Sequence, residues 1–104
     1  MNPNGVQEKI GKIVHLKDPN ALVYLFGSRA RGDFRPDSDW DLLILVDNET
    51  ISKDVEDKFR SDLYDVELET GQIVSAFIYS KNYWRNTLIH TPLYKNVTRE
   101  GILL

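Results

Sequence analysis

Two short, uninterrupted apolar runs constrain the fold of this chain more than any other feature. Residues 21–26 read A-L-V-Y-L-F, and residues 40–46 read W-D-L-L-I-L-V. Runs of this length, bounded by turn residues, are typical of strands that are covered on both faces. A third run, Q-I-V-S-A-F-I-Y at 72–79, has the same character. The chain is therefore predicted to build a small sheet with covering layers.

Amphipathic helices are available to cover this sheet. In residues 6–16 apolar side chains recur mostly at helical spacing, and Asp-Pro-Asn then breaks the pattern. Ser52 is expected to cap a second helix that runs to about Glu69 and ends at Gly71. The order helix, strand, strand, helix, strand, short helices favours an α/β (α+β) fold, with a mixed sheet and helices packed on it.

The length of 104 residues is that of one small domain. We expect a single domain over residues 1–104, with a core at about 6–80 and short helices over 81–104. Ser80 is expected to cap the first of these helices, and Thr91, followed by proline, the second. The aromatic residues of this region are expected to close a small core or an interface between copies of the chain, rather than to stack on a base: Tyr79, Tyr83, Trp84 and Tyr94.

Composition narrows the classes of function. The net charge of −3 provides no global attraction to a polynucleotide, so a long nucleic acid is not an expected partner. The absence of cysteine excludes disulfides and thiolate zinc sites. No signal-peptide pattern is found at the start, and the longest apolar run, 42–46, is too short to span a membrane. We therefore expect a cytoplasmic protein.

The most informative pair of residues is Asp39 and Asp41, at the beginning of the second strand. Side chains alternate along a strand, so both carboxylates are expected on the same face. Two like charges repel each other there unless a cation binds. Mg²⁺ prefers oxygen ligands and is usually held by one or two carboxylates together with substrate phosphates. Asp39 and Asp41 are thus predicted to be metal ligands and catalytic residues.

A phosphate-binding segment is predicted just upstream of this pair. Gly27 ends the first strand and lets the backbone approach a ligand closely, and free N–H groups after it can bind an anion together with the Ser28 hydroxyl. Arg29 and Arg31 are expected to neutralise phosphate oxygens. For Arg35 we expect an ion pair with the loop aspartates instead, and such a solvated arrangement is also the alternative for the other two arginines.

The segment G-S-R-A-R-G-D-F-R-P-D-S-D-W-D-L resembles the signature of the minimal nucleotidyltransferases of the DNA polymerase β superfamily. That family includes antitoxins paired with HEPN-domain toxins. The resemblance implies that Gly27 and Ser28 hold a triphosphate and that Asp39 and Asp41 hold Mg²⁺. It further implies transfer of AMP from ATP to a hydroxyl of a protein or small-molecule acceptor, with a HEPN-domain protein as a candidate partner.

One departure from the family pattern concerns catalysis. The family usually carries a third carboxylate on the next core strand, where this chain has Ser75. Such a group contributes about 10²–10⁴-fold when it acts as a general base. Glu67 or Glu69 could replace it if the preceding helix ended early. The alternative function is a nucleotide-binding or partner-binding module with weakened catalysis.

Overall fold

The structure, a computed structural model, describes residues 3–104 as a four-stranded sheet with helices on both faces. The helices are α1 (Pro3–Lys17), α2 (Ser28–Arg31), α3 (Lys53–Thr70), α4 (Lys81–Asn86) and α5 (Pro92–Glu100). The strands are β1 (Leu22–Phe26), β2 (Trp40–Val46), β3 (Val74–Ser80) and β4 (Ile102–Leu103). The predicted α/β fold class and the predicted order of elements are confirmed, whereas β4 was not expected. None of the helices described is both long and apolar enough to cross a membrane.

The sheet is mixed, as the sequence predicts, with the strand order β3-β2-β1-β4. β1 pairs antiparallel with β2 on one side and with β4 on the other. β2 and β3 are parallel, and α3 supplies the crossover that a parallel pair requires. The beginning of β2 therefore lies between the end of β1 and the beginning of β3.

The first face of the sheet is covered by α1 and α3. Leu42 and Ile44 point to this face and are completely buried, as is Ile10 of α1. Burial of apolar side chains is the main stabilising contribution to a domain of this size. This layer is the larger of the two clusters of buried residues, and β1, β2 and β3 all contribute to it.

The second face is covered only in part, by α4 and α5. Trp84 and Tyr94 pack there with their ring centroids 4.9 Å apart, which confirms the expected packing role of these two aromatic residues. The end of this face near the start of β2 and β3 has no such cover, and Phe77 is 42% exposed there. The surface formed by Asp41, Ser75 and Phe77 is termed the open end of the sheet.

The predicted helix caps are confirmed at α3, α4 and α5. The Ser52 side chain accepts a hydrogen bond from the Val55 N–H at 3.2 Å, and Ser80 and Thr91 cap α4 and α5 in the same way. Gly71 ends α3 with a φ of +72°, in the left-handed region that favours glycine. These local signals set where the helices begin and end.

Candidate active site

Gly27 connects β1 to the one-turn helix α2 and lies directly against Asp41. Its φ is +77°, which side chains disfavour. A Cβ atom added to Gly27 would lie only 2.3 Å from Asp41 Oδ2. Both the backbone conformation and the close approach therefore require glycine, and they bring the end of β1 against the carboxylate of β2.

α2 begins without a side-chain cap, because Gly27 occupies the capping position. The Gly27 carbonyl accepts hydrogen bonds from the N–H groups of Ala30 and Arg31 at 3.1 and 3.0 Å. The Ser28 hydroxyl is thus not used as a helix cap, and Ser28 lies next to the contact between Gly27 and Asp41.

Asp41 is partly buried between the two neighbouring strands. It pairs with Phe26 of β1 and with Ser75 of β3. Burial raises the pKa of the Asp41 carboxyl above its ordinary value, and the negative charges of Asp39 and Glu100 raise it further, whereas the Arg31 charge lowers it. The mutual repulsion of Asp39 and Asp41 that the sequence suggested is therefore present in the fold.

Ser75, which the family resemblance aligns with the third carboxylate, lies on β3 beside Asp41. In the parallel register it is the direct neighbour of Asp41, and its side chain is exposed on the same face. Glu67 accepts a hydrogen bond from the Val74 N–H, while Glu69 pairs with Lys9 of α1. Within the described residues no group of three or more histidine, cysteine or acidic side chains could hold a metal ion. Neither glutamate takes the place of the missing acid.

Arg29 is surrounded by the loop that joins α2 to β2. Its Nη2 donates to the carbonyls of Pro36 and Ser38 and to Gln72 Oε1, each at 3.1 Å. The guanidinium also lies 4.7 Å from the ring centroid of Trp40, within the range of a cation–π contact. These contacts hold the loop that precedes Asp39. The predicted contact of Arg29 with a nucleotide stays a prediction.

Arg31 points to a carboxylate that sequence reasoning missed. Its Nη1 donates to Glu100 Oε2 at 2.8 Å, and its Nε donates to Asp33 at 3.3 Å. The hydrogen bond to Asp33, followed by that to Glu100, raises the pKa of Arg31 above its ordinary value. The pairing of Arg31 with Asp33 is the solvated arrangement considered as the alternative for this arginine, whereas among the described residues Arg35 forms no ion pair with Asp33 or Asp37, contrary to expectation. No local pattern indicated Glu100, because 69 positions separate it from Arg31.

Comparison with known proteins identifies the family of this chain. The chain matches the nucleotidyltransferase domain family over residues 7–104. It is 34% identical over 83 residues to the putative protein adenylyltransferase MJ0604 of Methanocaldococcus jannaschii, and the alignment covers 79% of this chain and 75% of that protein. This chain therefore belongs to the nucleotidyltransferase domain family.

Solved structures show the same fold. The structure of a putative minimal nucleotidyltransferase matches with a TM-score of 0.66 at 25% identity, over 100% of this chain and 97% of that chain. A toxin–antitoxin crystal structure with AMP-PNP matches with a TM-score of 0.64 at 24% identity, over 99% of this chain and 72% of that chain. The resemblance to the minimal nucleotidyltransferases inferred from the signature segment is thereby confirmed.

Proposed function

We propose that this nucleotidyltransferase transfers AMP from ATP to a hydroxyl group of a protein or small-molecule acceptor. The acceptor oxygen forms a bond to the α-phosphorus, the bond from that phosphorus to the bridging oxygen breaks, and pyrophosphate leaves. The contact between Gly27 and Asp41 carries the proposal, because it joins the Gly-Ser turn to the paired aspartates. The name of the M. jannaschii relative, a protein adenylyltransferase, supports AMP as the transferred group.

The donor set at the beginning of β2 fits Mg²⁺. Asp39 and Asp41 would hold the ion, since their like charges and the partial burial of Asp41 make the ionised pair unfavourable without a cation. Two carboxylates leave the remaining coordination positions to phosphate and water, which is the usual arrangement for this metal. When bound, Mg²⁺ neutralises phosphate charge and stabilises the leaving pyrophosphate.

The other residues of the site bind and orient the triphosphate in this proposal. The backbone N–H and the hydroxyl of Ser28 donate to phosphate oxygens, and the tight approach at Gly27 keeps those donors close to Asp41. The exposed Arg31 provides positive charge at the same place. Arg29 contributes by holding the loop before Asp39 in position, in addition to any contact of its own with the nucleotide.

The proposed acceptor is a protein, and a HEPN-domain toxin is the candidate partner. The signature resembles a family that includes antitoxins of this kind, and one structural neighbour is a toxin–antitoxin with AMP-PNP. Phe77 of the open end and Tyr83 of α4, which are 42% and 46% exposed, are connected by ring contacts with Tyr79 and provide apolar surface. Exposed aromatic side chains are enriched at protein interfaces. A tyrosine hydroxyl of the partner is the proposed acceptor group.

A second candidate function follows from Ser75. With a serine beside Asp41, no acid on β3 is available to take the proton of the acceptor hydroxyl. The chain would then bind nucleotide but transfer AMP weakly, unless the partner supplies the base. This candidate predicts measurable ATP binding together with little transfer to an acceptor that supplies no base of its own.

Incubation with α-labelled ATP and Mg²⁺, alone and with a HEPN-domain protein, tests the proposal. We expect label on the partner, and the Asp41→Ala variant is expected to lose at least about 10³-fold of this activity because the metal loses a ligand. Asp65→Ala, which removes an exposed aspartate of α3, is the matched control and should keep full activity. ATP binding without transfer under every condition would favour the second candidate, and absence of both would refute the proposed function.

A further inference from the structure

Glu100 is a nearly buried carboxylate at the end of α5. Its side chain is only 10% exposed, and its Oε2 accepts two hydrogen bonds. One comes from the Gly27 N–H at 2.9 Å and the other from Arg31 Nη1 at 2.8 Å. Burial of a carboxylate is unfavourable unless charged or strongly polar donors compensate it, as these two do. Glu100 therefore joins the Gly-Ser turn to one of the two arginines next to it.

The position of Glu100 is set from both sides along the chain. Before it, Val97 of α5 is buried against the second face of the sheet. After it, Gly101 makes a turn so tight that an added Cβ would lie 2.4 Å from the Val97 carbonyl oxygen. β4 then pairs with β1, with Ile102 opposite Leu25. The packing of α5 and the pairing of β4 therefore hold the Glu100 carboxylate in one position.

Arg31, in contrast, is an exposed residue with a long side chain. Its side chain is 47% exposed, and an arginine in such a position would otherwise sample many rotamers. Glu100 and Asp33 restrain the guanidinium from two directions. Its charge is close enough to Asp41 to act on that carboxylate. The nearly buried carboxylate thus orders this exposed cation next to the paired aspartates.

We propose that Glu100 is a positioning residue of the nucleotide site, which acts through Arg31 and the Gly27 N–H. The inference rests on the proposed function, since it concerns the site at which the triphosphate binds. The inference gives Glu100 no metal contact, since residues 3–104 contain no group of three acidic side chains arranged to hold a metal ion. Its role is to keep the arginine and the turn in the geometry that the transition state requires.

Glu100→Gln is the most informative variant, because it keeps the shape and one acceptor oxygen but removes the charge. We expect kcat for AMP transfer to fall about tenfold, since a restrained cation contributes most in the transition state. The Kd of a non-hydrolysable ATP analogue with Mg²⁺ should stay within about twofold or become tighter, because a negative charge next to the phosphates is removed. A purely structural role would not separate kcat from Kd in this way.

A double-mutant cycle tests whether Glu100 acts through Arg31. Arg31→Ala should lower kcat by about 10²-fold, and adding Glu100→Gln to it should lower kcat no further. The inference would be overturned if the reductions of kcat by the two substitutions multiplied in the double mutant. A wild-type kcat in Glu100→Gln would also overturn it. Glu56→Gln breaks an exposed ion pair with Arg60 on α3 and is the control, expected to leave kcat unchanged.

A loss of folded protein is distinguished from a loss of catalytic activity by a separate measurement. All rates are referred to the folded fraction measured by circular dichroism. Glu100→Asp, which keeps the charge but withdraws it by one methylene group, serves as a second variant and should show a similar fall in kcat. A wild-type rate in Glu100→Asp would also contradict the inference. If the wild type neither transfers AMP nor binds the analogue, the proposed function itself fails, and that outcome differs from each of the preceding ones.

Discussion

The two faces of the central sheet are covered to different extents. On the first face α1 and α3 bury the side chains of three strands, and Leu42 and Ile44 are fully inaccessible. On the second face α4 and α5 cover the part that carries Leu43 and Leu45 and leave the open end accessible. Both faces belong to the same strands, so the difference lies in what packs on them rather than in the backbone.

This difference shows how a small domain combines stability with a polar site. Most of the apolar burial that stabilises the chain comes from the first face. The open end of the second face can then hold the carboxylate of Asp41 and the exposed Phe77 without loss of the main core. The raised pKa of Asp41 indicates the electrostatic penalty that this arrangement carries when no cation is bound.

The largest expected effect is on the free energy of unfolding, and it is measured by truncating two adjacent residues of β3 that point to opposite faces. Ile78 points to the first face and is 7% exposed, whereas Phe77 points to the second and is 42% exposed. Ile78→Ala should lower the free energy of unfolding by about 2–5 kcal/mol, as is typical of buried aliphatic truncations. Phe77→Ala should lower it by about 1 kcal/mol. Urea denaturation measures both, and equal losses would mean that the faces contribute equally.

The next effect concerns catalysis at the open end. Ser75→Asp places a carboxylate beside Asp41, where the family pattern has its third acid. We expect AMP transfer to an acceptor that supplies no base of its own to rise by about 10²-fold, at the lower end of the usual range for a general base. Ser75→Asn, of nearly the same size but without charge, is the control. If Ser75→Asp transfers no faster than the control, the base comes from elsewhere.

The smallest effect is the pH dependence of stability. Because the pKa of Asp41 is raised in the folded state, ionisation of this group opposes folding. Its contribution to stability is fully present below the ordinary aspartate value of 3.8 and is lost as the pH rises through the folded-state pKa. Asp41→Asn should therefore have a higher Tm than the wild type near pH 7 in the presence of a chelator. The difference in Tm between the two proteins should be smaller at acidic pH.

Thermal melts from acid to neutral pH check this last expectation. Asp65→Asn, at an exposed position of α3, is the matched control and should show no such pH-dependent gain. Addition of Mg²⁺ should stabilise the wild type more than Asp41→Asn, since only the wild type keeps both proposed ligands. A variant that is less stable than the wild type at pH 7 without metal would contradict the electrostatic account of the open end.

Sequence reasoning succeeded where the signal is local. The three main strands and the helix caps follow from apolar runs and from single residues such as Ser52 and Gly71, whose effects act within a few positions. The alignment of Ser75 with the family's third acid stays a prediction, and the strand register places Ser75 beside Asp41. β4 was missed because two residues are too short to show a periodicity.

The amino-acid sequence by itself determined the strands, the helices, the Gly-Ser turn and the paired aspartates that mark the family. Only the tertiary structure decided that Arg29 holds the loop and that Glu100 reaches Gly27, 73 positions away. It also decided which end of the second face stays open. The physical reason is that spacing along the chain sets local geometry, whereas contacts between distant residues depend on how the completed elements pack.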